Sequence, residues 1–272
     1  MDTIVAALEA QQAELDALVA RLDAGGWATP TPACTGWTVA DVLLHLAQTD
    51  ELGTASAENR FAEFLAGVRA EGERDGAGAG GSRSGATTPV DEAAAVMVER
   101  ERGAPDDEVL ARWRGAAAAE RAALSTRQPG DRVQWVTGDL AARTLATTRL
   151  AETWIHTTDI AGAVGAPLVP TTRLWHIARL AWRTLPYAFT QAGEALSAPV
   201  TLTLEGPGAE HWEFGGGDHG DEEPTDPAVT HVSGQAEEFC LVAARRRRPG
   251  ETSLIATGPD AEAVLRLVRT YA

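Results

Sequence analysis

Lysine is missing from the 272-residue sequence, and all 23 basic residues are arginine. That removes Schiff-base chemistry on a lysine and the phosphate-gripping lysine of a P-loop. Cysteine is almost as scarce: Cys34 and Cys240 are the only two. They sit in no CxxC pattern, and two thiols cannot make a disulfide framework. No apolar run approaches the roughly 18 residues that a membrane helix needs. The N-terminal segment carries no basic stretch ahead of an apolar one, so no signal peptide is expected, and the cytoplasm is the expected compartment. Positive charge is also short. Against 39 acidic residues the formal net charge is −16, and such a field repels phosphates. A nucleic acid or an anionic membrane is therefore not an expected partner. GxSxG, HExxH, a Walker motif and a GxGxxG behind a strand are all missing. Gly78–Gly81 is glycine-rich but follows no strand, so it reads as a loop and not a phosphate cradle.

What is present is a globular composition, 44% hydrophobic and 23% charged, long enough for one large domain or two ordinary ones. Residues 3–23 carry Ile4, Leu8, Leu15, Leu18, Val19 and Leu22 at helical spacing, with Gly25-Gly26 as the stop. A proline-bearing loop, Trp27 to Gly36, leads into a helix that Thr38 caps, with Asp41 in the reciprocal position. Further helices are expected over 54–71, 91–102, 106–126 and 139–164, the last ending at Gly165. Residues 72–90 read as a Gly/Ser-rich loop, and Arg132–Val136 as a short extended piece.

Beyond Pro170 the pattern changes. A helix over Thr171–Ala192 is interrupted at Pro186, and Pro199–Glu205 and Glu210–Phe214 alternate like the strands of a hairpin. Gly215–Pro227 reads as an acidic turn and Ala228–Val232 as a third strand. Ser233 should cap a helix running to about Arg247, before a strand at Ser253–Thr257 and a helix at Asp260–Tyr271. The fold class is α+β: a helical bundle over 1–168, then a smaller α/β domain over 169–272.

Chemistry concentrates at Glu152-Thr-Trp-Ile-His156. Residues four apart share a helix face, so one carboxylate and one imidazole can reach the same ion. A third ligand is needed, and His45, beside Val42 and Leu46 on an apolar face, is the best placed. Asp159, one turn after His156, could be a fourth ligand or could fix the imidazole. Such a Glu/His pair also occurs on ordinary solvated helices, and a lone histidine on an apolar face is commonly a satisfied core residue. Trp37 and Trp154 flank the ligand candidates in sequence and read as walls of the pocket, although either could be plain core. Cys34 is a thiol close in sequence to His45, although a small buried residue is the plainer reading. Cys240, in Phe239-Cys-Leu-Val, reads as core. His176, with Trp175 and Trp182, reads as a packing residue between the domains, although it could line the pocket. His211 and His231 fall on strands, and His219 with Asp218 and Asp221 could form a second metal site but reads as a solvated loop. Arg245–Arg248 ends a helix, where cations complement the dipole; Arg246 or Arg247 could instead clamp an anionic group.

Two segments carry a resemblance. Trp27, Pro30-Thr31-Pro32, Cys34-Thr-Gly36-Trp37-Thr38-Val39, Asp41-Val42 and His45-Leu46 resemble the N-terminal signature of the mycothiol-dependent maleylpyruvate isomerase family. That family belongs to the DinB-like metal-binding four-helix bundles. Arg149-Leu-Ala-Glu152-Thr-Trp-Ile-His156-Thr-Thr-Asp159 is similar to the family's second metal segment. The stretch from Gly234 to Gly258 resembles an actinobacterial branch whose reaction is unassigned. The resemblance implies that His45, Glu152 and His156 bind one divalent metal, usually zinc, with mycothiol as a possible cosubstrate. A thiolate beside the metal could add to a cis double bond, allow rotation and leave as the trans isomer, or could stay on as an S-conjugate. The partners would be a small electrophile and a small thiol. Two other readings stand beside this one: a metal enzyme that uses no thiol, with the cation as Lewis acid or water activator, and a non-catalytic binding module. For the latter, the C-terminal part is somewhat similar to sterol-carrier-type folds.

Overall fold

Thr38 and Asp41 start the helix that carries His45. Thr38 Oγ1 accepts the Asp41 N–H at 3.3 Å, and Asp41 Oδ2 accepts the Thr38 N–H at 2.8 Å. A cap of this kind is worth about 1 kcal/mol. The structure, a computed structural model, describes residues 1–74, 89–215 and 229–270. It divides into two compact units, Met1–Pro167 and Leu168–Ala272.

The first unit is built on helices α1 (Asp2–Val19), α2 (Ala24–Trp27), α3 (Val39–Ala57), α4 (Phe61–Arg74), α5 (Pro89–Glu101) and α6 (Asp106–Ser125). A two-stranded ribbon, β1 (Arg132–Val133) and β2 (Leu140–Ala141), precedes the long helix α7 (Ala142–Val164). Four helices form the bundle: α1 packs on α6 and α7, and α3 packs on the same two. Leu15, Val19, Val42, Leu43, Leu46, Val109, Trp113 and Ile160 meet in its core. Each such aliphatic side chain contributes about 1.5–3 kcal/mol by leaving water.

Three expectations for this unit need correction. Gly25 and Gly26 do not simply end a helix; they lie inside the short α2, which Asp23 caps by accepting the Gly26 N–H. The helix of His45 does not give way before residue 54 but continues to Ala57. It ends where Asn59 turns left-handed (φ 61°), with Arg60 N–H on Ala55 O and Asn59 N–H on Ser56 O. That is a Schellman ending, and asparagine tolerates the conformation. The extended piece at Arg132 has only two paired residues.

The second unit follows with α8 (Leu174–Arg183) and α9 (Leu185–Gln191), Pro186 falling in the first turn of α9. Strands β3 (Val200–Glu205), β4 (His211–Phe214), β5 (Thr230–Gln235) and β6 (Ile255–Thr257) make one sheet in the order β4-β3-β5-β6. The hairpin β3–β4 is antiparallel, with Leu202 opposite Phe214, and β5 joins β3 in parallel, with Val200 opposite Thr230. Helices α10 (Ala236–Ala243) and α11 (Ala261–Leu267) complete it, α10 packing on α8 and β5. Ser233 does not cap α10. It pairs with Thr203 inside β5, and the parallel ladder holds the backbone extended as far as Gln235. The arginines also fall beyond α10 and not within it. Arg245 adopts φ 60°, and the Arg245 and Arg246 N–H groups close the helix on Val242 O and Leu241 O. Among the described residues no helix is long and apolar enough to cross a membrane.

Candidate metal centre

Helix periodicity sets the three ligand candidates facing one another. His45 lies on the inward face of α3, and Glu152 and His156 lie one turn apart on α7. His45 Nε2 stands 3.0 Å from Glu152 Oε1, and His156 Nε2 stands 3.3 Å from the same oxygen. One donor atom from each lies within 4.8 Å of the other two. Ligand atoms held at about 2.0–2.1 Å around a tetrahedral cation stand about 3.3 Å apart. Two neutral-capable imidazoles and a carboxylate at that spacing therefore fit a divalent ion. The histidine side chains are 9% and 8% exposed and that of Glu152 is 24% exposed, so the group is reached from the carboxylate side.

The loop before α3 completes the surroundings. Thr31 N–H bonds Trp37 O at 2.8 Å and Pro30 bridges to Thr38, so the chain doubles back over the start of α3. This puts the Trp37 ring 5.1 Å from that of His45. It also brings the half-buried Cys34 to the far side of His156, where Sγ lies 3.8 Å from Nδ1 and donates to Asp159 Oδ2 at 3.4 Å. Asp159 Oδ2 itself meets His156 Nδ1 at 3.0 Å. Asp159 thus sits across the ring from Glu152, where it orients the imidazole and keeps Nε2 pointing at the centre. Cys34, His156 and Asp159 form a second grouping of possible ligands that uses the opposite nitrogen of the same ring.

Burial is the largest single influence on each of the three candidates, and for two of them the hydrogen bonds and charges around them together overcome it. It lowers His45 below the usual histidine value, with the Glu152 hydrogen bond opposing. For His156 burial works in the same direction, but the hydrogen bonds to Asp159, Cys34 and Glu152 outweigh it and hold the ring well above that value. Glu152 would be raised by burial, yet the two imidazoles keep it well below the usual carboxylate range. His45 Nδ1 is buried without a hydrogen-bond partner.

Below this centre lies a charged cluster to which the sequence reading assigned no role. Arg149, one turn before Glu152, donates from Nη2 to Asp50 Oδ1 at 2.6 Å and to Thr49 Oγ1 at 2.9 Å, and from Nε to Glu120 Oε1 at 3.1 Å. Asp50 and Glu120 are fully buried. The signal was available: Leu43, Leu46, Asp50, Gly53 and Ala57 share one face of α3, and Trp113, Ala117, Glu120 and Leu124 one face of α6. A charge in register with an apolar stripe is a buried charge.

Other candidates lie elsewhere. Trp154 is two residues from both Glu152 and His156, about 200° round the helix, so it faces away from the ligand stripe and does not wall it. Cys240 is core, donating to Leu174 O at 3.7 Å, and burial pushes its thiol up. In the second unit His176 stands edge-on to Trp175 with centroids 5.1 Å apart, and His231 Nδ1 lies 2.9 Å from Thr201 Oγ1. Arg247 pairs with Glu238 at 3.6 Å, and Arg246 Nη1 donates to Ala244 O at 3.1 Å. Asp218, His219 and Asp221 lie outside the described residues, as do Gly78–Gly81.

Fold and site together define a helical bundle with a candidate metal centre between two of its helices, joined to a small α/β unit. The sequence model of the Mycothiol maleylpyruvate isomerase N-terminal domain matches residues 8–161. Two uncharacterised proteins of Mycobacterium tuberculosis, from strains CDC 1551 / Oshkosh and H37Rv, are 34% identical over 271 residues, covering 98% of this chain and 95% of theirs. The chain belongs to the mycothiol-dependent maleylpyruvate isomerase family. Crystal structures of the mycothiol-dependent maleylpyruvate isomerase and of a point mutant of it share the fold. Their TM-scores are 0.56 and 0.58 at 16% and 15% identity, over 94% of this chain and 92% of theirs.

Proposed function

We propose that this protein is a divalent-metal enzyme in which His45, Glu152 and His156 hold the cation, zinc being the first choice. A low-molecular-weight thiol such as mycothiol would be its cosubstrate. The observation that carries the reading is the convergence of three ligand atoms from α3 and α7 within 4.8 Å, in a chain whose family takes its name from a mycothiol-dependent isomerase. When bound, the cation supplies positive charge that favours a thiolate over a thiol at neutral pH.

The chain's own groups do the rest. Asp159 fixes the His156 ring, Trp37 covers His45, and Glu152, the most exposed of the three, marks the side from which thiol and electrophile would enter. Addition of the sulfur to a conjugated cis double bond forms one C–S bond and leaves a single C–C bond free to rotate. Breaking the C–S bond then returns the thiol and the trans isomer. Retention of the C–S bond, with a proton from solvent taken up at the neighbouring carbon that carries the displaced electron pair, instead gives an S-conjugate. Arg246 and Arg247, in the second unit, are proposed to hold an anionic group of a small ligand. The partners are small molecules, since the formal charge of −16 disfavours nucleic acid and anionic membranes, and the proposed location is the cytoplasm.

The test is incubation of metal-loaded protein with mycothiol and maleylpyruvate. Isomer or S-conjugate formation that stops when thiol is omitted supports the reading. Turnover that is indifferent to thiol points to Lewis-acid or metal-water chemistry at the same site.

A further inference from the structure

We infer that Arg149 is a positioning residue for the metal ligands: with Thr49, Asp50 and Glu120 it ties the helix of His45 to the helix of Glu152 and His156 just below the centre. The inference rests on the metal reading above. An ion cluster buried in a bundle is weak evidence for stability, because well-packed apolar side chains serve as well or better. A geometric role accounts better for its presence. The Arg149 side chain is 3% exposed and those of Asp50 and Glu120 are 0% exposed. One guanidinium nitrogen reaches both Asp50 and Thr49, and Thr49 Oγ1 donates onward to the His45 carbonyl at 3.0 Å. A hydrogen-bonded path thus runs from the backbone of one ligand, through Arg149, to the helix turn that carries the other two. The third wall is Glu120 on α6, which fits because Gly53 has no side chain: a Cβ there would stand 1.9 Å from Glu120 Oε1.

The charges are also arranged for a neighbouring cation. A bare guanidinium one turn from Glu152 would repel a divalent ion. Asp50 balances it. Glu120 would add a second negative charge, but Asp50 Oδ2 and Glu120 Oε2 are buried and no donor reaches either. Two carboxyl groups so placed are satisfied by one shared proton. The cluster is then neutral and Arg149 stays in place without opposing the metal. Burial and the Asp50 charge, against Arg149, hold Glu120 well above the usual carboxylate range, in agreement with this proton.

The experiment is Co2+ binding to the full-length metal-free protein, followed by its visible absorption and by competition with a chromophoric chelator, with folding checked by near-ultraviolet circular dichroism. Arg149→Lys keeps the charge but loses the fork and is expected to weaken Co2+ binding about 10–100-fold, the usual effect of losing a group that orients a ligand. Thr49→Val, which removes the hydroxyl joining Arg149 to the His45 carbonyl and leaves the Asp50 and Glu120 contacts in place, should weaken it several-fold and shift the Co2+ spectrum. Glu120→Gln, whose amide replaces the shared proton as donor, should restore wild-type binding within about twofold. A merely structural role would lower the melting temperature and leave the affinity of the folded protein unchanged. Wild-type affinity and spectrum in folded Arg149→Lys and Thr49→Val would overturn the inference; if Arg149→Lys does not fold, Thr49→Val decides. Failure of the wild type itself to take up Co2+ or Zn2+ would defeat the metal reading, and the inference with it.

Discussion

Asp260 in the second unit and the charged cluster in the first are buried to different ends. In the second, Asp260 is a buried carboxylate whose oxygens are fully used: it accepts the Ser197 and Ala198 N–H groups at 2.9 and 3.0 Å and the Ser197 hydroxyl at 2.6 Å. It holds a loop in place. In the first, His45, Asp50, Glu120, Arg149, His156 and Asp159 are all buried together. His45, Asp50 and Glu120 each keep a buried polar atom with no partner. Satisfied polar groups stabilise a fold, whereas convergent, incompletely satisfied ones mark where a ligand or a proton completes the arrangement. The bundle is therefore where the proposed metal ligands and the charges around them lie.

Substitutions on either side of that contrast should behave differently. The largest effect is expected from His156→Ala, which removes a proposed ligand and should reduce bound metal from about one ion per chain to background, measured by elemental analysis of the purified protein. Next is Arg149→Met. It leaves Asp50 without its cation, and urea unfolding should show a loss of about 3–5 kcal/mol. Gly53→Ala pushes a methyl into Glu120 and should cost about 1–3 kcal/mol, with weaker Co2+ binding if the cluster is displaced. Asp260→Asn in the second unit should cost about 1–3 kcal/mol through groups left unpaired while metal content stays at the wild-type level. Equal metal loss in Asp260→Asn and in a bundle variant would erase the contrast.

The smallest effect is a dependence on pH. Glu120 is held well above the usual carboxylate range by burial and by Asp50, with Arg149 opposing. The folded state then keeps a proton that the unfolded chain releases above about pH 4.3. That contribution is full below the unfolded value and is lost as pH rises through the folded one. Urea midpoints measured from pH 5 to pH 8 should show the wild type losing stability relative to Glu120→Gln. A constant difference would mean that Glu120 carries no proton.

Much of this was legible from residues alone. The capping box at Thr38 and Asp41, the glycine ending of the long helix at Gly165 and the convergence of His45, Glu152 and His156 follow from short-range rules and from the family segments. What was not legible depends on contacts between distant residues. Asp50 and Glu120 are 70 positions apart and each looks solvated until its place in an apolar stripe is noticed. Cys34 reads as a small core residue because nothing local shows that its loop folds back over α3 to reach Asp159. Trp154 illustrates the opposite error, where nearness in sequence suggested a shared face that the helical turn does not allow. Ser233 had the chemistry of a cap, but pairing with β3 kept its backbone in the sheet.

X-ray absorption at the zinc edge, recorded on zinc-loaded protein before and after addition of mycothiol, addresses the central claim most directly. The account predicts two imidazoles and oxygen ligands at about 2.0–2.2 Å at first, and a new sulfur neighbour at about 2.3 Å once the thiol is present. A sulfur neighbour before any thiol is added would place the ion with Cys34 and Asp159 instead, and that result, or a spectrum without imidazole scattering, would contradict the assignment of His45, Glu152 and His156.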